Sequence, residues 1–190
     1  HFIIEGNKKA PEKYLIKETI KFVDWKNVKA EKKYIKLENN SSITLNGIAQ
    51  GWITDNITSI LRNNNINNTL VDFGETYASG KYNNMRPWNI LIENSNASQI
   101  INLSNKAIAT SAGSGTAFDS KYKYHHIFNP KTGLNSKKFK SLSIISDKAW
   151  LSDALSTACY SMKKDSLKEI CDRFKAEAIF FEKGIFKKLS

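Results

Sequence analysis

The run Trp150-Leu151-Ser152-Asp153-Ala154-Leu155-Ser156-Thr157-Ala158-Cys159 constrains this chain more than any other. Trp150, Leu151, Leu155, Ala158, Cys159 and Met162 recur at helical spacing, so the segment is expected to be a helix with much of its surface buried. Asp153 and Thr157 are four residues apart, which puts them on one face, one turn from each other. A carboxylate beside a core is costly unless something positive holds it. No Lys or Arg lies between Trp150 and Ser161. Two readings satisfy this. Asp153 is an ordinary solvated or early-turn acid favoured by the helix dipole. Alternatively, carboxylate and hydroxyl oxygens, joined by a backbone carbonyl, hold a hard divalent cation such as Mg²⁺.

The rest of the chain mixes helix and strand patterns. Pro11 to about Val23 predicts a helix, with Pro at its start and Leu15, Ile16, Ile20 and Val23 on one face. Asn27–Leu37 predicts a hairpin and Ser42–Leu45 a short strand. Ile48 to about Arg62 predicts a second amphipathic helix with Trp52, Ile53, Ile57, Ile60 and Leu61 inward, stopped by Asn63-Asn64-Asn65. Buried strand is expected at Thr69–Phe73, ending at Gly74. Further strands are expected at Trp88–Glu93, Ala107–Thr110, His126–Phe128, Leu142–Ser146 and Ala178–Phe181, the last turning at Gly184 into a final short strand. Asp165–Phe174 predicts a helix. No regular βαβ period appears, which argues for an α+β fold with mixed or antiparallel sheets and flanking helices. No internal repeat or long linker is visible, so 1–190 is expected to form a single domain.

The net charge of +11 invites a nucleic-acid reading, but only Arg62, Arg86 and Arg173 among 29 basic residues are arginine. Bidentate contacts to bases and phosphates favour Arg. The dispersed Lys residues read as solubility and edge protection, and no nucleic-acid partner is expected. No apolar run approaches the ~18 residues of a membrane span. The chain opens on His1, without Met or a signal-like segment, and is expected to be a mature chain or a fragment. Cys159 and Cys171 lack metal-ligand spacing; buried thiols are expected, with a disulfide left open.

Four short motifs carry candidate chemistry. Leu45-Asn46-Gly47-Ile48-Ala49-Gln50-Gly51-Trp52 stands at a strand-to-helix junction, where small residues either make a tight turn or let a ligand approach the backbone. Leu70-Val71-Asp72-Phe73-Gly74-Glu75 ends a strand in Gly; its two acids read as solvated. Ala109-Thr110-Ser111-Ala112-Gly113-Ser114-Gly115 offers hydroxyls and glycines after a strand, a plausible cradle for phosphate or ribose oxygens, but it lacks a P-loop ending. His125-His126-Ile127-Phe128-Asn129-Pro130-Lys131-Thr132-Gly133 leads into a turn that accounts for Asn129, Pro130 and Gly133. The turn leaves the paired histidines unexplained; a histidine is the side chain best suited to proton transfer near neutral pH.

Taken in order, Gly-Ile-Ala-x-Gly, strand-Gly-Glu, Ala-Thr-Ser-x-Gly, His-Ile-x-x-Pro-x-Thr-Gly and Asp-Ala-x-x-Thr-Ala resemble the ApbE family of FAD-dependent protein flavin transferases. The resemblance covers roughly Ser42 to Ser161. It implies an ApbE-like α-β roll and Mg²⁺-dependent cleavage of FAD, with FMN placed on a threonine of a partner protein and AMP released. Relatives that hydrolyse FAD to FMN and AMP make a pyrophosphatase the alternative, and a non-catalytic FAD-binding protein is a third. By motif, Asp153 and Thr157 match Mg²⁺ ligands, the Ala49 carbonyl matches the backbone ligand, and Ser156 matches a position near the metal. His126 matches the motif histidine, a base for the acceptor hydroxyl. Asn46, Trp52 and Phe128 match positions lining the FAD site, and Thr110 and Ser111 belong to the same pocket.

Three positions depart from the family pattern: Gln50 stands where many relatives have Lys, Glu75 where many have a second Gly, and Asn129 where Asp is common. The resemblance further implies an acceptor that is a flavoprotein subunit of a redox complex, with a Ser/Thr-Gly-Ala-Thr-like target. It implies an extracytoplasmic, periplasmic setting, as a lipoprotein anchored through a preceding segment. Relatives carry a longer stretch before the first motif, so the chain is expected to lack the family's N-terminal portion.

Overall fold

The computed structural model of the chain describes residues 12–38, 41–94, 97–118, 124–136 and 138–189. It groups them into two compact units, one from His1–Thr44 with Thr116–Ser136, the other from Leu45–Gly115 with Lys137–Ser190.

The first unit holds helix α1 (Lys13–Ile20), a 3₁₀ turn at Trp25–Asn27 and the antiparallel pair β1 (Val28–Ala30) and β2 (Ile35–Leu37), with Val28 opposite Leu37. The hairpin is where the sequence puts it. Helix α1 buries no residue, and Leu15 and Val23 are exposed; its predicted start at Pro11 lies outside the described residues. Ser42–Leu45 is not a strand, since among the described residues no segment pairs with it.

The second unit is built on a six-stranded antiparallel sheet in the order β10-β9-β8-β7-β4-β3. Its strands are β3 (Thr69–Asp72), β4 (Thr76–Ser79), β7 (Lys106–Ala112), β8 (Ser141–Ser146), β9 (Glu177–Glu182) and β10 (Ile185–Leu189). Strand β8 is buried along its whole length. A second antiparallel hairpin, β5 (Trp88–Asn94) and β6 (Ala97–Leu103), covers one face. There Ile92 and Leu103 meet Ala78, Ile108, Ile145 and Ile179 in a closed apolar cluster. Burial of such side chains stabilises the layer by about 1.5–3 kcal/mol each. Helices α2 (Ala49–Asn63) and α3 (Ala149–Cys159) pack on each other, with α3 also against β7 and β8, and α4 (Lys164–Phe174) leads into β9. The architecture is α+β, as expected, and among the described residues every strand pairing is antiparallel.

The helices bury different faces from those their apolar residues suggest. In α2 the inward residues are Gly51, Thr54 and Thr58, while Trp52 and Ile60 are exposed. The reason is proximity: a Cβ on Gly51 would lie 2.4 Å from the Ala149 carbonyl oxygen, so only small side chains fit between α2 and α3. In α3 the polar Ser152, Asp153 and Ser156 are buried beside Ala149, Leu155 and Cys159, while Trp150 is exposed. Of β3, only Val71 is buried. Cys159 and Cys171 are both buried free thiols.

Candidate active site

The second unit assembles its candidate residues around the N-terminus of α2. The chain enters the helix through the turn Asn46–Ile48, closed by hydrogen bonds from the Ile48 and Ala49 amides to the Leu45 carbonyl at 3.0 and 2.9 Å. The first turn of a helix leaves amide hydrogens without helical partners. One of these, on Gly51, donates to Asp153 Oδ2 at 3.0 Å. Asp153 therefore caps α2 from the neighbouring helix. The service is returned: Asp55 of α2 accepts from the Ala149 and Trp150 amides, each at 3.0 Å, and caps α3. The two caps fix the antiparallel helices in one register.

Thr157 lies against the other side of the same turn. A Cβ on Gly47 would approach Thr157 Cγ2 and Oγ1 to 3.2 Å. Ala49 thus sits between one glycine touching Thr157 and another touching Asp153, so the three residues matched by motif to a metal are brought together.

Hydroxyls hold Thr157 from behind. Ser156 donates to the Asp153 carbonyl at 3.0 Å, Ser111 Oγ lies 2.8 Å from Ser156 Oγ, and Thr157 Oγ1 lies 3.2 Å from Ser111 Oγ. Each hydroxyl has one proton. With that of Ser156 committed to the carbonyl, Ser111 donates to Ser156 and Thr157 to Ser111. The lone pairs of Thr157 then remain for another partner. Ser156 is buried and faces this network. Thr110 and Ser111 alternate along β7; the Thr110 hydroxyl bonds Ser143 at 2.8 Å on the opposite side, so the two hydroxyls do not meet.

Glu75, read from sequence as solvated, belongs to this region. It follows Gly74 (φ +90°) in the turn between β3 and β4, and its carbonyl accepts from Thr54 of α2 at 3.1 Å. Burial, then the charge of Asp153, pushes its carboxyl up to about 8, against an opposing backbone hydrogen bond from Thr110. Burial also raises the Asp153 carboxyl, and the Gly51 amide partly offsets this. Among the described residues no Lys or Arg forms an ion pair with either acid. The signal available in sequence was only an acid directly after a strand-ending glycine.

The buried Asp153 carboxylate, the Thr157 hydroxyl and the backbone of the turn before Ala49 offer oxygen donors, with the half-buried Glu75 carboxyl close enough to feel the Asp153 charge. That composition fits Mg²⁺. Asn46 is exposed in the turn, and Trp52 is 60% exposed beside it.

In the first unit the two histidines have separate jobs. His125 is buried; its Nδ1 accepts from the Ile127 amide at 3.2 Å and its Nε2 lies 3.3 Å from the Ser136 carbonyl. Asn135 clamps the segment, donating to the carbonyls of His125 and Ile127 at 2.6 and 2.9 Å. His126 is exposed, with Nδ1 3.2 Å from the Thr116 carbonyl. Donation there puts the imidazole lone pair on Nε2. Phe128 is 49% exposed. His126–Phe128 is not a strand: isolated bridges at His125 and Phe128 take its place, set by the Asn129–Gly133 turn. Gly133 has φ +66°, and a Cβ there would meet Ile16 Cγ2 at 2.6 Å.

Two curated relatives are FAD:protein FMN transferases: that of Haemophilus influenzae is 27% identical over 140 residues, covering 69% of this chain and 40% of its own length. That of Treponema pallidum is 28% identical over 134 residues, covering 62% and 37%. The chain thus spans about two fifths of these relatives. The crystal structure of the ApbE protein from Thermotoga maritima superposes with a TM-score of 0.85 at 26% identity, covering 96% of this chain and 63% of its own. The flavin transferase ApbE from Vibrio cholerae shares the fold, with a TM-score of 0.81 at 21% identity, covering 95% of this chain and 60% of its own. The ApbE family model matches residues 2–180, and the chain belongs to the ApbE family.

Proposed function

We propose that the chain carries out Mg²⁺-dependent transfer of FMN from FAD to a threonine hydroxyl of an acceptor protein, with release of AMP. The observation that carries this is the meeting of Gly47 with Thr157 and of Gly51 with Asp153 around Ala49. Asp153, Thr157 and the Ala49 carbonyl would hold the ion, with Ser156 supporting them. When bound, the ion neutralises charge on the diphosphate oxygens of FAD. Asn46 and the exposed Trp52 line the FAD site, Trp52 as a face for ring stacking. Thr110 and Ser111 border it by motif, with the Ser111 hydroxyl turned to Thr157. In the first unit His126 is the base and Phe128 a flavin-site side chain.

In the transfer, the acceptor oxygen bonds to the FMN phosphorus, the diphosphate P–O bond breaks, and AMP leaves with the bridging oxygen. The hydroxyl proton goes to His126 Nε2. The acceptor is proposed to be a flavoprotein subunit of a redox complex, met outside the cytoplasm, with the chain tethered to a membrane through a preceding segment.

The test is to incubate the protein with FAD, Mg²⁺ and an acceptor segment containing Ser/Thr-Gly-Ala-Thr. Flavin-labelled acceptor and stoichiometric AMP are expected. AMP with free FMN and no labelled acceptor would instead make the chain a pyrophosphatase, and FAD binding with no AMP a carrier.

A further inference from the structure

Resting on the cation site just proposed, the geometry points to one more ligand: we infer that Glu75 supplies a second carboxylate to the ion held by Asp153 and Thr157. Nothing in the family motifs assigns this position a metal; relatives often carry glycine there.

Three independent tethers bring Glu75 to the site. Its carbonyl is tied to Thr54, one helical turn beyond Gly51, whose amide holds Asp153. The preceding Gly74 packs on the first turn of α2: a Cβ there would lie 2.3 Å from Gln50 Nε2. Finally, the register of β4 with β7 sets Thr76 opposite Ile108. Extended by one residue, that register sets Glu75 level with Ala109, two residues along β7 from Ser111, whose hydroxyl contacts Thr157. Glu75 and Asp153 thus come to the first turns of α2 from two different elements, the charge of Asp153 is felt at the Glu75 carboxyl, and among the described residues neither acid forms an ion pair with Lys or Arg.

The charge arithmetic follows. Mg²⁺ carries two positive charges and keeps several waters when few protein oxygens bind it. Asp153 alone supplies one negative charge. A second carboxylate neutralises the site without diphosphate, so the ion is held before FAD arrives. In a chain with glycine at position 75, the second charge would have to come from the nucleotide.

The test measures Mn²⁺ binding, without nucleotide, by electron paramagnetic resonance and calorimetry on wild type, Glu75→Gln and Asp153→Asn. Metal-free melting temperature serves as the folding control. Glu75→Gln is expected to weaken Mn²⁺ binding about tenfold or more, with a metal-free melting temperature equal to or above wild type. Glu75→Asp, which keeps the charge, is expected to recover part of the affinity. If Asp153→Asn loses Mn²⁺ while Glu75→Gln binds as tightly as wild type, the inference about Glu75 fails and the cation site stands. If wild type binds no Mn²⁺, both fail. A lowered metal-free melting temperature in Glu75→Gln with unchanged affinity would make Glu75 a structural residue only.

Discussion

The amide of Gly51 holds the carboxylate of Asp153 at 3.0 Å across 102 residues of sequence. This bond explains how an acid that forms no ion pair among the described residues sits in a buried helix face. The dipole and free amides at the start of α2 stabilise it, and among the described residues the bond from Gly51 engages one of its two oxygens.

At Gly51 added bulk meets main chain, not a flexible side chain. Gly51→Ala forces a methyl to within 2.4 Å of the Ala149 carbonyl and pushes α2 from α3. A loss of about 1–3 kcal/mol is expected, together with loss of the Mg²⁺-induced rise in melting temperature. Gly115→Ala, which meets nothing within 4 Å, is the control and should stay within about 0.5 kcal/mol of wild type. Thermal melts with EDTA and with Mg²⁺ check both.

Removing the Asp153 charge separates capping from ion binding. Asp153→Asn keeps an oxygen for the Gly51 amide, so metal-free stability should hold while Mg²⁺ stabilisation and flavin transfer vanish. Asp153→Ala leaves that amide without its acceptor and should cost about 1–3 kcal/mol besides. Denaturant unfolding of the two variants distinguishes these outcomes.

The acids also set a pH dependence. Glu75 titrates near 8 in the folded chain against 4.5 ordinarily, so between these values the folded state holds a proton that the unfolded state has lost. Its contribution is therefore full below about pH 4.5 and declines as pH rises to about 8, by at most about 1.4 kcal/mol per unit. Glu75→Gln lacks this decline. The gap in metal-free melting temperature between the variant and wild type should widen in the variant's favour from about pH 5 to about pH 8 and then level off. Saturating Mg²⁺ should narrow it.

The paired histidines should part under mutation. His125→Ala strips partners from the Ile127 amide and the Ser136 carbonyl and should destabilise by about 1–3 kcal/mol. The exposed His126→Ala should leave the melting temperature unchanged and FAD affinity largely intact while abolishing transfer. Calorimetry and a flavin-labelling assay on the same samples decide it.

Much of the fold could be read from periodicity. The helices over Ala49–Asn63, Ala149–Cys159 and Lys164–Phe174 and the strands around Trp88, Ala107, Leu142 and Ala178 stand where apolar spacing puts them. Strands β4 and β6 were invisible because Thr76–Ser79 and Ala97–Leu103 are short or polar and become strands only by pairing with β3, β7 and β5. Inward faces depart from apolar spacing for a related reason. Trp52 and Trp150 look like core residues, but the close helix crossing at Gly51 and the hydroxyl contacts of α3 decide which side faces in. In the site, Asp153 with Thr157 was legible from spacing of four. Glu75 was not, because its neighbours come from α2 and β7, and no local pattern records such a meeting.

Ser111→Ala tests the scaffold behind the ligands. It removes the bridge from β7 to Ser156 and Thr157 and should cost about 1 kcal/mol. The Mg²⁺ concentration needed for half-maximal stabilisation should rise, and Ser111→Thr should restore it.

The sheet meets α3 through hydroxyl pairs at Ser111–Ser156 and Ser146–Ser152 as well as through apolar side chains. An oily contact lets a helix glide by a fraction of a turn at little cost. A laced contact permits only positions where every hydroxyl finds its mate. Helix α3 is thereby indexed along its own axis, like a ratchet pinned to one tooth, and the Thr157 hydroxyl is presented at the same height in every molecule, as the proposed ion would require.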